Sequence, residues 1–179
     1  MEFIKRDIKL FMLSGKARSG KDTAAKIIKD YYKDKDSIII SFGHYIKDYA
    51  RRVSDWSGDE ETKPRELLQQ LGIELIKNKI DSRLFINRIL EDIEVFSYFY
   101  DIIIIDDVRL IDELETLKRN YKNSKVIRII RSSDNNLTEK EKRHLTETNL
   151  DDYQNFDYII ENDNYDNLKG KISEILKEV

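Results

Sequence analysis

The most constraining feature of this chain is the stretch of residues 10–28, which reads LFMLSGKARSGKDTAAKII. An apolar run is followed by Gly15, four further residues, Gly20 and Lys21, and then by a segment without helix breakers. Glycine allows backbone conformations and close approaches that a Cβ would prevent. The stretch therefore predicts a buried strand, a tight turn and the start of a helix, and the rest of the chain has to be arranged around this unit.

The spacing Gly-x-x-x-x-Gly-Lys is that of a phosphate-binding loop. The amides of such a loop and of the following helical turn point at one spot and form an anion site, where Lys21 would reach the terminal phosphates of a nucleotide. Asp22 stands where Ser or Thr usually follows the lysine, so the hydroxyl that normally binds Mg²⁺ is displaced to Thr23 or replaced by a carboxylate. We expect these residues to bind the nucleotide: Gly15, Lys16, Ala17, Arg18, Ser19, Gly20, Lys21, Asp22 and Thr23.

Composition excludes several other classes of protein. The length of 179 residues favours one domain, residues 1–179, and the net charge of -3 provides no basic excess for binding nucleic acid. The absence of cysteine excludes disulfides, thiolate metal sites and cysteine nucleophiles. The N-terminus is too charged for a signal peptide, and every apolar run is far shorter than the ~20 residues that cross a bilayer. We expect a cytoplasmic protein without membrane or nucleic-acid partners, and a homodimer stays open.

Short apolar runs alternate with longer amphipathic segments. The runs predict strands at Leu10–Leu13, Ile38–Phe42, Ile102–Ile105, Val126–Ile130 and Tyr158–Ile160. Most lack alternation, as strands buried on both faces do, which indicates a parallel sheet covered by helices. The segments predict helices at Lys21–Tyr32, Tyr45–Val53, Arg65–Lys77, Arg83–Phe96, Ile111–Asn120, Thr138–Arg143 and Leu168–Lys177. This alternation of strands and helices predicts a doubly wound α/β domain, in which ligands bind beyond the carboxyl ends of the strands.

The third predicted strand ends in Asp106, Asp107 and, two residues later, Arg109. A carboxylate beside a phosphate loop can hold Mg²⁺ or its waters, although it can also cap the next helix. Which aspartate faces the nucleotide stays open, because consecutive strand residues point in opposite directions. Arg109 can bind phosphate and stabilise a transferring phosphoryl group, and the alternative is an ion pair with Asp112 or Glu113.

Two further segments carry candidate site residues. A helical insertion, residues 43–100, contains Lys47, Arg51 and Arg65, which could hold a phosphorylated acceptor opposite the phosphate loop, and Gln69, which could contact its base. The alternative for each cation is a solvated surface. The polar region 132–150 could close over the phosphates as a lid, or be an exposed helix. His144 and Glu147 of this region could form a general base or a metal pair, but their i, i+3 spacing favours a structural contact. Trp56, in the insertion, is expected to pack in the interior.

Several stretches together resemble the phage-type deoxynucleoside monophosphate kinases. They are GKARSGKDTAA (15–25), KPRELLQQLGIELI (63–76), IIIIDDVRLIDEL (102–114), HLTETNLDD (144–152) and FDYIIEND (156–163). They span nearly the whole chain in the order of the family. The chain departs from the family at Leu110-Ile111-Asp112-Glu113, where Phe-Pro-Asn-Glu is common, and at Phe85, where a Trp is common.

The resemblance implies a P-loop nucleoside-monophosphate-kinase-like three-layer sandwich with a five-stranded parallel sheet, a helical acceptor-binding insertion and a lid. It implies ATP and Mg²⁺ as cofactors, with Asp22, Thr23, Asp106 and Asp107 as the residues for the metal. The catalytic cations would be Lys21, Arg109, Arg131 and Arg143. Arg109 would also bind substrate, at the acceptor or between the two substrates, and Arg131 and Arg143 would belong to the lid. The expected reaction is phosphoryl transfer from ATP to a (deoxy)nucleoside monophosphate. The alternatives are a kinase of another phosphorylated metabolite, of the dephospho-coenzyme A or phosphomevalonate type, and a nucleotide-binding switch.

Overall fold

The computed structural model describes residues 2–131 and 138–179, which form a five-stranded parallel sheet with helices on both faces. The strands are β1 (Lys9–Ser14), β2 (Ser37–Ile40), β3 (Ile102–Val108), β4 (Lys125–Ile130) and β5 (Tyr158–Glu161). The α-helices are α1 (Lys21–Tyr31), α2 (Phe42–Val53), α3 (Arg65–Gln69), α4 (Leu84–Phe96), α5 (Ile111–Asn120), α6 (Glu139–Lys142), α7 (Leu145–Thr148) and α8 (Tyr165–Glu178). The predicted three-layer α/β fold is confirmed. None of the described helices is long and apolar enough to span a membrane.

The strand order β2-β3-β1-β4-β5 places β1 at the centre of the sheet. Met12 of β1 is in register with Ile105 of β3, and Leu13 is in register with Ile127 of β4. The chain first builds β2 and β3 on one side of β1 and then crosses to the other side for β4 and β5. Such a switch point is where open α/β sheets bind their ligands, and the segment after β1 lies there.

The core consists of one apolar layer on each face of the sheet. Because successive strand residues point to opposite faces, Phe11 and Leu13 pack with α1 and α8, whereas Leu10 and Met12 pack with α4 and α5. The isoleucines of β3 are buried in both layers, which explains why this strand shows no alternation. Complete burial of a side chain of this size contributes about 1.5–3 kcal/mol, so β3 is a major source of stability.

The structure differs from the sequence prediction at several boundaries. Phe42, predicted to end the second strand, begins α2 instead, because Ser41 caps the helix and its Oγ accepts a hydrogen bond from the His44 N–H over 3.1 Å. The helix predicted for Arg65–Lys77 starts as α3 and continues as a π-helix over Gln70–Ile80. Helix α7 was not predicted, and its start is capped by His144, which is not one of the usual N-cap residues.

The helical insertion between β2 and β3 comprises α2, α3, the π-helix and α4. The predicted lid region is described in part. Residues 132–137 lie outside the described residues, and α6 and α7 form most of the remainder. Lys140 of α6 pairs with Glu66 of α3, so the described part of the lid region contacts the insertion.

Candidate active site

The phosphate loop, residues 15–23, leads from β1 into α1 and requires glycine at two positions. A Cβ at Gly15 would lie 2.4 Å from the Ile129 carbonyl oxygen of β4, closer than any Cβ can approach. Gly20 has a φ of +104°, and a Cβ there would lie 2.4 Å from the side-chain nitrogen of Asn162. Helix α1 begins directly after Gly20, which has no side chain to cap it. The first N–H groups of α1 are therefore left for an anion.

Lys21, the first residue of α1, is 5% exposed. Its Nζ donates a hydrogen bond to the Lys16 carbonyl oxygen over 2.9 Å, so the side chain lies back across the loop. Burial, and then the charge of Arg109, lower the pKa of Lys21 to about 8, whereas Asp22 acts in the opposite direction. Ser19 is also buried, and within the described chain its hydroxyl has no hydrogen-bond partner. A phosphate group would supply both an anion for Lys21 and an acceptor for Ser19.

The two aspartates at the end of β3 have different surroundings. Asp107 accepts hydrogen bonds from the N–H groups of Phe42 and Gly43 over 2.8 and 2.7 Å, so its carboxylate caps α2. Asp106 is half-buried, and its pKa rises to about 7, first through burial and then through the charges of Asp107 and Asp22. Asp106 is therefore the carboxylate that a cation would stabilise, whereas Asp107 attaches the insertion to β3.

Arg109 follows β3 and is fixed first through its backbone. The N–H groups of Arg109 and Leu110 donate to one carboxylate oxygen of Glu113 over 2.9 and 3.0 Å. Glu113 is 8% exposed, and burial raises its pKa to about 7. The ion pair that the sequence suggested between Arg109 and Asp112 or Glu113 is thus replaced by backbone contacts to Glu113. Asp112 pairs with Lys77 instead.

The guanidinium of Arg109 pairs with Glu147 of α7. Its Nη1 also lies 3.4 Å from the Thr146 carbonyl oxygen. The second carboxylate oxygen of Glu147 accepts a hydrogen bond from the Ala17 N–H over 2.8 Å. His144 caps α7 through a hydrogen bond from the Thr146 N–H to its Nδ1 over 3.3 Å. The side chains of His144 and Glu147 therefore contact different partners in the structure.

A large cavity of about 510 Å³ opens between the phosphate loop and the helical insertion. Lys21 and Arg109 line it from the side of the sheet, whereas Lys47, Lys63 and Arg65 line it from the insertion. Its apolar lining includes Ile46, Leu68, Ile73, Phe85 and Ile86. Cations on two facing sides of one partly apolar cavity can hold the phosphates of two molecules together with an apolar or aromatic moiety.

Most of the residues predicted for the site line this large cavity. They are Ala17, Arg18, Gly20, Lys21, Asp22, Thr23, Lys47, Arg65, Gln69, Asp106, Asp107, Arg109 and Arg131. Gly15, Lys16 and Ser19 belong to the phosphate loop without lining the cavity. Arg51 departs from its prediction, because its guanidinium lies 5.4 Å from the ring centre of the buried Trp56. Arg143 is exposed after α6 and is not part of the lining either.

A second, smaller cavity of about 350 Å³ shares Ala17, Arg18 and Arg131 with the large one. Arg128 of β4 lies at this cavity and donates to Ser14 Oγ over 3.0 Å and to Asp151 over 3.1 Å. Asp151 also pairs with Lys16 over 2.8 Å. Through Asp151, these contacts attach the segment that follows α7 to the phosphate loop and to β4.

Several charged residues line the large cavity although the sequence did not assign them to the site, among them Lys63, Glu113 and Glu147. Lys63 is separated from Arg65 by Pro64 alone. Two cations so close together at the predicted start of a helix could have been recognised as parts of one anion site. The sequence indicated Glu147 only as a possible partner of His144, because its actual loop partner, Ala17, lies 130 residues earlier in the chain.

A family model described as deoxynucleotide monophosphate kinase matches residues 44–172, more than half of the chain. No curated protein matches the chain. Among solved structures, TT1252 from Thermus thermophilus has a TM-score of 0.60 at 12% identity and covers 98% of this chain and 99% of its own.

Two enzymes crystallised with ligands have the same fold. The Mycobacterium tuberculosis APS kinase CysC, in complex with AMPPNP and APS, has a TM-score of 0.53 at 10% identity and covers 96% of this chain and 97% of its own. The Acinetobacter baumannii shikimate kinase, in complex with shikimate, has a TM-score of 0.52 at 12% identity and covers 97% and 95%. At such identities these likenesses establish the fold alone.

Proposed function

The chain belongs to the deoxynucleotide monophosphate kinase family, and on that premise we propose that it transfers the terminal phosphoryl group of ATP to a (deoxy)nucleoside monophosphate. The observation that carries this proposal is the large cavity with cations on facing sides. Lys21 would bind the donor phosphates, Arg109 would lie between the two substrates at the transferred group, and Lys47, Lys63 and Arg65 would bind the acceptor phosphate. A nucleotide-binding switch would not need the second set of cations.

The reaction requires positioning and charge neutralisation more than a protein nucleophile. An oxygen of the acceptor phosphate attacks the γ-phosphorus of ATP, and the bond from that phosphorus to the bridging oxygen breaks. ADP leaves with the electron pair, and the acceptor becomes a diphosphate. Because a phosphate oxygen is already ionised at neutral pH, no general base is needed. Lys21 and Arg109 would stabilise the charge on the transferred group.

Mg²⁺ fits the residues at the end of β3 and the start of α1. Asp106, Asp22 and Thr23 line the same cavity, and burial, followed by the charges of Asp107 and Asp22, raises the pKa of Asp106. Residues 2–131 and 138–179 contain no group of three or more Asp, Glu, His or Cys that could hold a metal alone. This agrees with Mg²⁺, which is usually bound by one or two carboxylates together with phosphates and water. When bound, it neutralises charge on the phosphate oxygens.

The helical insertion would hold the acceptor, and the lid region would cover the phosphates. Gln69 and Phe85, from α3 and α4, line the insertion side of the cavity and could contact the acceptor base. Glu141 of α6 lines the same cavity, and the Lys140–Glu66 pair joins the lid region to the insertion. Closure of such a lid would exclude water and prevent ATP hydrolysis.

A coupled assay of ADP release tests the proposal, with ATP, Mg²⁺ and a panel of deoxynucleoside monophosphates, nucleoside monophosphates and dephospho-coenzyme A. We expect fast release with one or a few of the (deoxy)nucleoside monophosphates and little release without any acceptor. Release with dephospho-coenzyme A alone would show that the protein is a kinase whose acceptor is not a nucleoside monophosphate. Tight ATP binding without release for any acceptor would contradict the proposal.

A further inference from the structure

The carboxylate of Glu147 connects two parts of the site that are far apart in the chain. Glu147 is 7% exposed, although it belongs to the short helix α7. One oxygen accepts the Ala17 N–H of the phosphate loop over 2.8 Å, and the other pairs with Nη1 of Arg109. A single buried side chain thus holds an arginine of the site against the loop.

Because Glu147 is buried, its carboxylate depends on these two partners. A carboxylate removed from water is costly unless it is paired and hydrogen-bonded, and Glu147 satisfies both requirements with Arg109 and Ala17. The negative charge of Glu147 also acts on Lys21 in the direction opposite to that of Arg109, so it offsets the repulsion between the two cations. Without Glu147, the repulsion between Arg109 and Lys21 in this part of the cavity would not be offset.

Arg109 is held along one edge only. Nη1 contacts Glu147 and the Thr146 carbonyl oxygen, whereas Nε and Nη2 have no protein acceptor within residues 2–131 and 138–179. Arg109 lines the large cavity. A guanidinium fixed at one edge retains the other edge for two parallel hydrogen bonds to an anionic group.

We infer that Glu147 is a positioning residue for the phosphoryl transfer: it orients Arg109 so that the unpartnered edge of the guanidinium meets the transferred group. This role rests on the proposed function. Glu147 contacts no substrate, and it acts through Arg109. Because a small misplacement of such a group lowers the rate of a positioned reaction about 100-fold, the loss of this one carboxylate affects turnover far more than binding.

Glu147→Gln tests the inference, because Gln retains the size of the side chain and its acceptor for the Ala17 N–H but loses the charge that holds Arg109. We expect kcat to fall about 100-fold, while KM for ATP and for the acceptor changes little. In a protein that already carries Arg109→Ala, the same substitution should change kcat less than about threefold, because the two residues act as one unit.

Glu115→Gln is the matched control. Glu115 accepts a hydrogen bond from Tyr153 over 2.5 Å and does not line the large cavity, so this variant should turn over like the unmodified protein. Thermal unfolding identifies any variant that fails to fold. If Glu147→Gln fails, Glu147→Asp, which is too short to reach both partners, replaces it in the same double-mutant cycle.

The outcomes separate the two proposals. Additive losses in the double variant, or tighter ATP binding with undiminished turnover in Glu147→Gln, would overturn the positioning role, and the latter would make Glu147 a competitor of the nucleotide. Absence of transfer by the unmodified protein with any acceptor would overturn the proposed function and, with it, this inference.

Discussion

The side-chain amide of Asn162 donates a hydrogen bond to the carbonyl oxygen of Ser19 over 2.7 Å and thereby joins the end of β5 to the phosphate loop. Asn162 is 7% exposed and lies against Gly20, where a Cβ would displace it. The contact fixes the peptide group that precedes Gly20 and Lys21. It therefore determines how the loop presents its N–H groups.

Asn162→Ala would leave the buried Ser19 carbonyl oxygen without a donor, which costs about 1–3 kcal/mol of unfolding free energy. We also expect weaker binding of AMPPNP, because the loop loses its support. Urea unfolding and calorimetric titration measure the two effects. Asn164→Ala is the control: it removes the cap of α8, which costs about 1 kcal/mol, without touching the loop. Equal AMPPNP affinity in both variants would contradict the role of Asn162.

Lys21→Ala should lower kcat by about 100- to 1,000-fold, the effect of removing one group that stabilises charge in a transition state. The fold should persist, because the substitution removes a buried cation whose pKa is already depressed. Lys26→Ala, on the exposed face of the same helix, should behave like the unmodified protein. A folded Lys21→Ala protein with unchanged turnover would disprove the proposed mechanism.

Arg65→Ala should weaken use of the acceptor and leave use of ATP nearly unchanged. The loss of a hydrogen bond to a charged group, about 1.5–3 kcal/mol, raises KM for the acceptor about 10- to 100-fold. Arg52→Ala is a matched control, because Arg52 forms an exposed ion pair with Asp48 over 3.0 Å outside the cavity. If Arg65→Ala impaired ATP and acceptor equally, the assignment of the two sides of the cavity would be wrong.

The value of kcat/KM for ATP should fall as the pH drops through about 7, since Asp106 becomes protonated there and loses its affinity for a cation. It should also fall above about pH 8, where Lys21 loses its proton. Mg²⁺ favours the ionised carboxylate, so higher Mg²⁺ concentrations should move the acidic limb to lower pH. Asp106→Asn should lack this Mg²⁺ dependence. An acidic limb that is insensitive to Mg²⁺ would assign it to Glu113 instead, whose pKa is also about 7.

The sequence predicted the sheet because its strands are chemically distinctive. Four consecutive isoleucines in β3 avoid water only when both faces of the strand are buried, and the spacing of Gly15, Gly20 and Lys21 is typical of a phosphate-binding loop. The Phe42 boundary was wrong because an apolar residue can extend a strand or begin a helix, and the decision rested on the cap that Ser41 provides.

Long-range contacts of polar side chains could not be predicted in the same way. Arg51 and Arg65 have the same charge and lie in the same insertion, yet one lies over Trp56 and the other lines the cavity. The difference between Asp106 and Asp107 depends on where α2 begins, and the role of Glu147 depends on a partner far away in the chain. Local periodicity contains none of this information.

The order of the strands also has a consequence for the synthesis of the chain. β1 and β2, which are made first, do not pair with each other, because both are hydrogen-bonded to β3. The sheet therefore cannot begin to form until Ile102–Val108 has left the ribosome, and until then the apolar strand β1 has no partner. Such non-local pairing is slow and exposes newly made chains to aggregation. The phosphate loop also depends on Asn162, which follows β5, so a nucleotide can bind a fully supported loop only after that residue has been made.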